Sequence, residues 1–93
     1  MGLEFKSVCN QDISFIIPDL QLIYFETAYF NNFNEKYGSL IDRYGTFRLE
    51  INHLQYLETL LEKDRPKSDN AKELLIFIKK CINQNTVLKV FGN

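Results

Sequence analysis

The 93-residue chain has no tryptophan, one histidine, two cysteines, two prolines and four glycines. Each scarcity closes off a class of chemistry. A catalytic triad needs a histidine, a nucleophile and an orienting acid brought together. Nothing in the sequence brings Cys9 or Cys81 to His53, which reads as a partly exposed helix histidine. There is no Cys-x-x-Cys, no histidine pair and no acidic loop of calcium spacing, so neither a metal nor a cofactor is expected. Gly2, Gly38, Gly45 and Gly92 are scattered, whereas a phosphate cradle clusters its glycines before a helix. Two cysteines are too few for a secreted disulfide scaffold. They read as reduced, buried thiols, with one Cys9–Cys81 bridge between the chain ends as the alternative. No apolar run approaches the roughly 20 residues of a membrane-spanning helix. The opening residues lack the apolar core of a secretory leader. The expectation is a non-enzymatic, cytoplasmic protein with no membrane partner.

What is present is apolar and aromatic. Hydrophobic residues make up 45% of the chain, with eight Phe and five Tyr, enough for one packed domain over residues 1–93. The net charge of −1 conceals an asymmetry. Residues 1–62 carry nine acids against four bases, and residues 63–93 carry seven bases against three acids. The acid-rich part can steer a basic partner. The basic stretch 63–80 sits in a chain of pI about 5.8 with no nucleic-acid-binding signature, so no nucleic-acid partner is expected.

Hydrophobic periodicity predicts an α+β fold, three helices packed with a small sheet formed by the N- and C-terminal strands. Leu3, Phe5 and Ser7 alternate with Glu4, Lys6 and Val8, which is strand periodicity. Cys9–Asp12 reads as a turn. Residues 13–17 fit either a strand ending at Pro18 or the start of a helix. From Leu20 the pattern is helical, and Gly38 is a plausible C-cap. Leu40, Tyr44, Phe47, Ile51, Leu54 and Leu61 then recur at steps of three and four, predicting one long helix over 39–63. The rival reading breaks it at Gly45 and makes 47–51 a strand. Arg65-Pro66 breaks the chain, Ser68 caps a third helix over 69–84, and 86–91 is a strand suited to pair with 3–8.

Glu58 falls on the long helix's apolar stripe. The expected resolution is that the stripe drifts to Leu57 and Glu58 reaches solvent. A second stripe on the same segment, Leu49, His53, Tyr56 and Leu60, lies opposite the first. The helix from Leu20 is doubled too: Leu22, Phe25, Tyr29 and Phe33 form one stripe, and Leu20, Ile23, Tyr24 and Ala28 another. A helix apolar on two faces must cover both or expose one. The candidate partner-binding residues are therefore Leu49, Glu50, His53, Tyr56 and Leu60, and the partner another protein, basic if the acidic face steers it, or a second copy in a homodimer. In size, acid-rich first part, abundance of Asn, Lys and Ile, and lack of a chemical site, the chain resembles the small immunity proteins that bacteria make against toxins. No motif carries that likeness, so it assigns no residue. It implies an inhibitor that neutralises a toxin by direct binding; a structural or regulatory homo-oligomer is the other reading.

Overall fold

Helices cover one face of a four-stranded antiparallel sheet, in a computed structural model that describes residues 2–8, 14–42, 44–64 and 68–92. The strands are β1 (Gly2–Ser7), β2 (Ser14–Pro18), β3 (Thr46–Leu49) and β4 (Leu88–Phe91). Their spatial order is β2-β1-β4-β3. The terminal strands thus pair at the centre, with Phe5 opposite Val90 and Ser7 opposite Leu88. Residues 14–18, open between strand and helix in the sequence, are a strand because they extend the ladder on β1, Phe15 opposite Phe5 and Ile17 opposite Leu3. Side chains alternate across a strand. Leu3, Phe5, Ile17, Leu49, Leu88 and Val90 accordingly turn inward and are buried. At Gly2, φ is +139° and a Cβ would lie 2.0 Å from the Ile17 carbonyl oxygen, so only glycine fits there.

Helix α1 spans 19–37, as two α-helical segments, Asp19–Phe25 and Asn31–Tyr37, joined by a π-helical turn at Glu26–Phe30. The Asn31 N–H donates to the Glu26 carbonyl. That wider turn puts residues five apart on one face. Phe25 and Phe30 stack with ring centres 6.0 Å apart, and Leu22, Phe25, Tyr29, Phe30 and Phe33 are all buried. Burying an apolar side chain of this size contributes about 1.5–3 kcal/mol before entropy is counted. Gly38 ends the helix in the left-handed region, φ 76°, its N–H donating to the Asn34 carbonyl at 2.7 Å.

The expected helix over 39–63 is not continuous. Residues 39–42 and 44–45 are irregular, 46–49 are strand β3, and helix α2 begins at Ile51 (Ile51–Lys63). Three causes act together. Gly38 and Gly45 flank the segment and cost helix stability. Asn34 clamps Ile41 from both sides, Nδ2 donating to its carbonyl at 3.0 Å and Oδ1 accepting from its N–H at 2.8 Å. Thr46–Leu49 finds a ladder on β4, with Phe47 opposite Val90 and Leu49 opposite Leu88. Tyr44, on the expected apolar stripe, is exposed. Turn chemistry completes the loop: Asp42 Oδ1 accepts from the Tyr44 N–H at 3.0 Å.

Helix α3 (Asp69–Asn83) begins where expected, Ser68 Oγ accepting from the Ala71 N–H at 3.1 Å. It packs beside α2, buries Ala71, Leu74, Phe77, Ile78 and Cys81, and reaches the sheet through Phe77, whose ring centre lies 5.6 Å from that of Phe15. Cys81 is a free, buried thiol. The turn predicted at Cys9–Asp12 and the Arg65–Lys67 break fall outside the described residues, apart from their flanks. Among the described residues no helix is long and apolar enough to cross a membrane.

The Asn34 clamp generates a test. Asn34→Ala leaves both Ile41 backbone groups without these partners and costs about 1–3 kcal/mol. Urea unfolding should show a lower midpoint with unchanged slope; an unchanged midpoint would mean that the loop conformation is held by other contacts.

Candidate functional site

The five sequence candidates separate. Leu49 lies not on a helix face but in β3, fully buried against the core, and so leaves the set of contact residues: the strand turns its side chain inward. Glu50 is the N-cap of α2. Its carboxylate accepts from the His53 N–H, and His53 Nδ1 accepts from the Glu50 N–H at 2.9 Å. This reciprocal cap uses Glu and His where Ser or Thr and Glu are usual, and it leaves the proton of a neutral His53 on Nε2. Arg48 approaches Glu50 at 3.8 Å.

His53 and Tyr56 meet the end of α1 in an aromatic cluster. Tyr37 lies 4.7 Å from His53 and 5.7 Å from Tyr56 between ring centres, both edge-on. Phe33 lies beneath, 4.8 Å from Tyr37 and 6.1 Å from Tyr56. Lys36 Nζ sits 4.3 Å from the centre of the Tyr56 ring, a cation–π contact. Tyr56 is half-buried. With Leu60 it floors an open groove of about 480 Å³ walled by Asn32, Glu35, Lys36 and Lys63. Two candidates, Tyr56 and Leu60, thus share one groove, and His53 supports it.

Several other titratable groups link the helices to one another. Leu57 is buried, and Glu58, its side chain 26% exposed, pairs with Lys79 of α3 at 3.8 Å, so the stripe drifts as expected. Lys79 also donates to Glu62 at 3.1 Å, which raises its pKa. Tyr29 donates to Asp64 Oδ2 at 2.5 Å, and Tyr24 to the same oxygen at 3.4 Å, tying α1 to the end of α2. Burial first, then the Asp64 hydrogen bond, hold the Tyr29 phenol well above its ordinary pKa. Burial pushes the Cys81 thiol up to about 11. Among the described residues no group of three metal-ligating side chains comes together.

Among the described residues large apolar side chains stay exposed at several places, Ile16, Tyr44 and Ile76 among them, and α1 brings three together. Leu20, Ile23 and Tyr24 are 97%, 67% and 40% exposed, adjacent at i, i+3 and i+4 on one helix face. The sequence signal was present, since these residues form the second stripe of the helix from Leu20. The sheet and α2 cover the first stripe, whereas Leu20 and Ile23 of the second stay exposed. Compared with known protein families, curated proteins and solved structures, the chain matches none.

Two measurements follow. Stability should fall in alkali. The unfolded chain ionises a tyrosine near pH ~10, whereas folded Tyr29 stays neutral, so its contribution is full below that pH and lost as pH rises further. Cys81 acts the same way from its lower starting value. Urea midpoints in Tyr29→Phe should decline less steeply above pH ~10 than in the native chain; equal slopes would place the titration elsewhere. Secondly, His53→Ala removes one half of the α2 cap and should cost about 0.5–2 kcal/mol, read as a lower melting temperature.

Proposed function

We propose that this protein works by binding another protein through the outer face of α1, with Leu20 and Ile23 as apolar anchors and Tyr24 at the edge. The observation that carries this reading is the exposure of three large apolar side chains side by side on one rigid helix. An exposed apolar cluster is informative where a single exposed leucine is not. Leu22 and Phe25 lock the same helix into the core, so binding pays little ordering cost. Tyr24 suits a contact edge, because its ring is apolar and its hydroxyl, already turned toward Asp64, can remain hydrated. The groove at Tyr56 and Leu60 of α2, walled by Asn32, Glu35 and Lys36 from the C-terminal half of α1, is a second contact region. The specific form of this reading is an inhibitor or immunity protein. Its support is the resemblance in size, composition and charge drawn from the sequence.

The test uses a partner captured from the native host, identified, purified and titrated by calorimetry. Leu20→Asp and Ile23→Asp should each weaken binding by tenfold or more, with circular dichroism and melting temperature unchanged, since neither side chain contributes to the core. Tyr56→Ala should weaken binding less. Affinity untouched by both aspartate substitutions would refute the assignment.

A further inference from the structure

The face of the sheet away from the helices carries a row of cations assembled from distant parts of the chain. Lys89 of β4 stands directly opposite Lys6 of β1 and, on its other side, Arg48 of β3. Neighbouring strands lie about 4.8 Å apart, so three positive side chains cross the sheet in one line. The next row on this face is Thr46, Phe91, Glu4 and Ile16. Like charges directly opposite each other destabilise a sheet. Glu4 relieves Lys6 at 3.7 Å and Glu50 relieves Arg48 at 3.8 Å. Among the described residues no carboxylate pairs with Lys89, whose Nζ lies 5.6 Å from the centre of the Phe91 ring, with Lys6 Nζ 5.9 Å from that same centre. Beside them, Lys6, Ser7, Val8, Lys89 and Phe91 line an open cleft of about 240 Å³.

We propose that this open sheet face docks an acidic, extended protein segment, carboxylates on the Lys6–Lys89–Arg48 row and one apolar side chain in the cleft at Val8 and Phe91. Charge complementarity carries the choice of occupant. In an extended strand alternate side chains face the same way about 6.6 Å apart, so two carboxylates span the row. Arg48 offers the planar fork that matches a carboxylate. A single-stranded nucleic acid fits less well. Such ligands use several aromatic platforms, whereas Phe91 is the one aromatic ring in the two rows and Glu4 stands beside it. The surface is separate from the outer face of α1, and its assignment stands or falls independently.

The probe is a synthetic peptide alternating glutamate with threonine around one central phenylalanine, titrated into isotopically labelled protein and followed by amide chemical shifts. Saturable shifts confined to β1, β3 and β4 are expected, weakening with added salt. Lys89→Glu should reduce affinity tenfold or more, Arg48→Gln should reduce it less, and Ile23→Asp should leave it unchanged. Both substituted cations are exposed, and melting curves report their folding; should Lys89→Glu unfold the chain, Arg48→Gln decides. No saturable shift, shifts scattered off this face, or native affinity in a folded Lys89→Glu would overturn the proposal. Tighter binding of an oligothymidylate to the same residues would overturn it in favour of nucleic acid.

Discussion

Pairing of the first strand with the last holds the rest of the fold in place. β1 and β4 occupy the middle of the sheet, so β2 and β3 each hang on one of them and, among the described residues, pair with no other strand. Closing a chain over this separation costs entropy that grows only slowly with loop length, and the return is a ladder buried on its inner face by Leu3, Phe5, Leu88 and Val90. The helices occupy the interval between the paired ends, and the sheet gives α1 and α3 a common apolar floor. β4 in turn explains β3: Thr46–Leu49 is a strand because Val90 and Leu88 stand ready to be paired.

The same dependence governs what could be read in advance. The terminal strands, the α3 cap at Ser68 and the Gly38 stop were legible, because alternation, a capping hydroxyl and a helix-ending glycine are local signals. Residues 39–51 were legible only as two rival readings, one long helix or a break at Gly45 with a strand over 47–51, and the second is the nearer to the strand at Thr46–Leu49. Their apolar spacing suits a helix, and the forces that break it, the Asn34 clamp on Ile41 and the ladder on β4, come from residues outside the segment itself. The π-helical turn was illegible for a related reason: it goes with the packing of Phe25 on Phe30, and single-turn spacing does not announce it. For the candidate site, Tyr56 and Leu60 line one groove and His53 packs on Tyr37, whereas Leu49 is buried in a strand.

Charge illustrates how folding re-sorts a sequence pattern. Counted along the chain, the first two-thirds is acidic and the remainder basic. Counted on the sheet's open face, Lys6 and Arg48 from the acidic part stand beside Lys89 from the basic part. The signal for that row lay in the strand alternation itself, since Lys89 falls between Leu88 and Val90 and Lys6 between Phe5 and the small Ser7, all of which turn inward. Meanwhile Glu58 and Glu62 are drawn to Lys79 between α2 and α3, so acids that look like a steering surface in the sequence partly serve helix packing.

The surfaces proposed for other molecules are the apolar outer face of α1, with the groove at Tyr56 and Leu60 beside it, and the cationic outer face of the sheet. A stable self-assembled dimer buries on the order of 1,200 Å² or more, whereas the proposed anchors are three side chains on one helix. The account thus treats the single chain as the binding unit. Light scattering of the purified protein over a wide concentration range tests this most directly. The account predicts the monomer mass of 11.0 kDa throughout. A mass of about twice that value, persisting on dilution, would contradict it and make self-association the use of the exposed face.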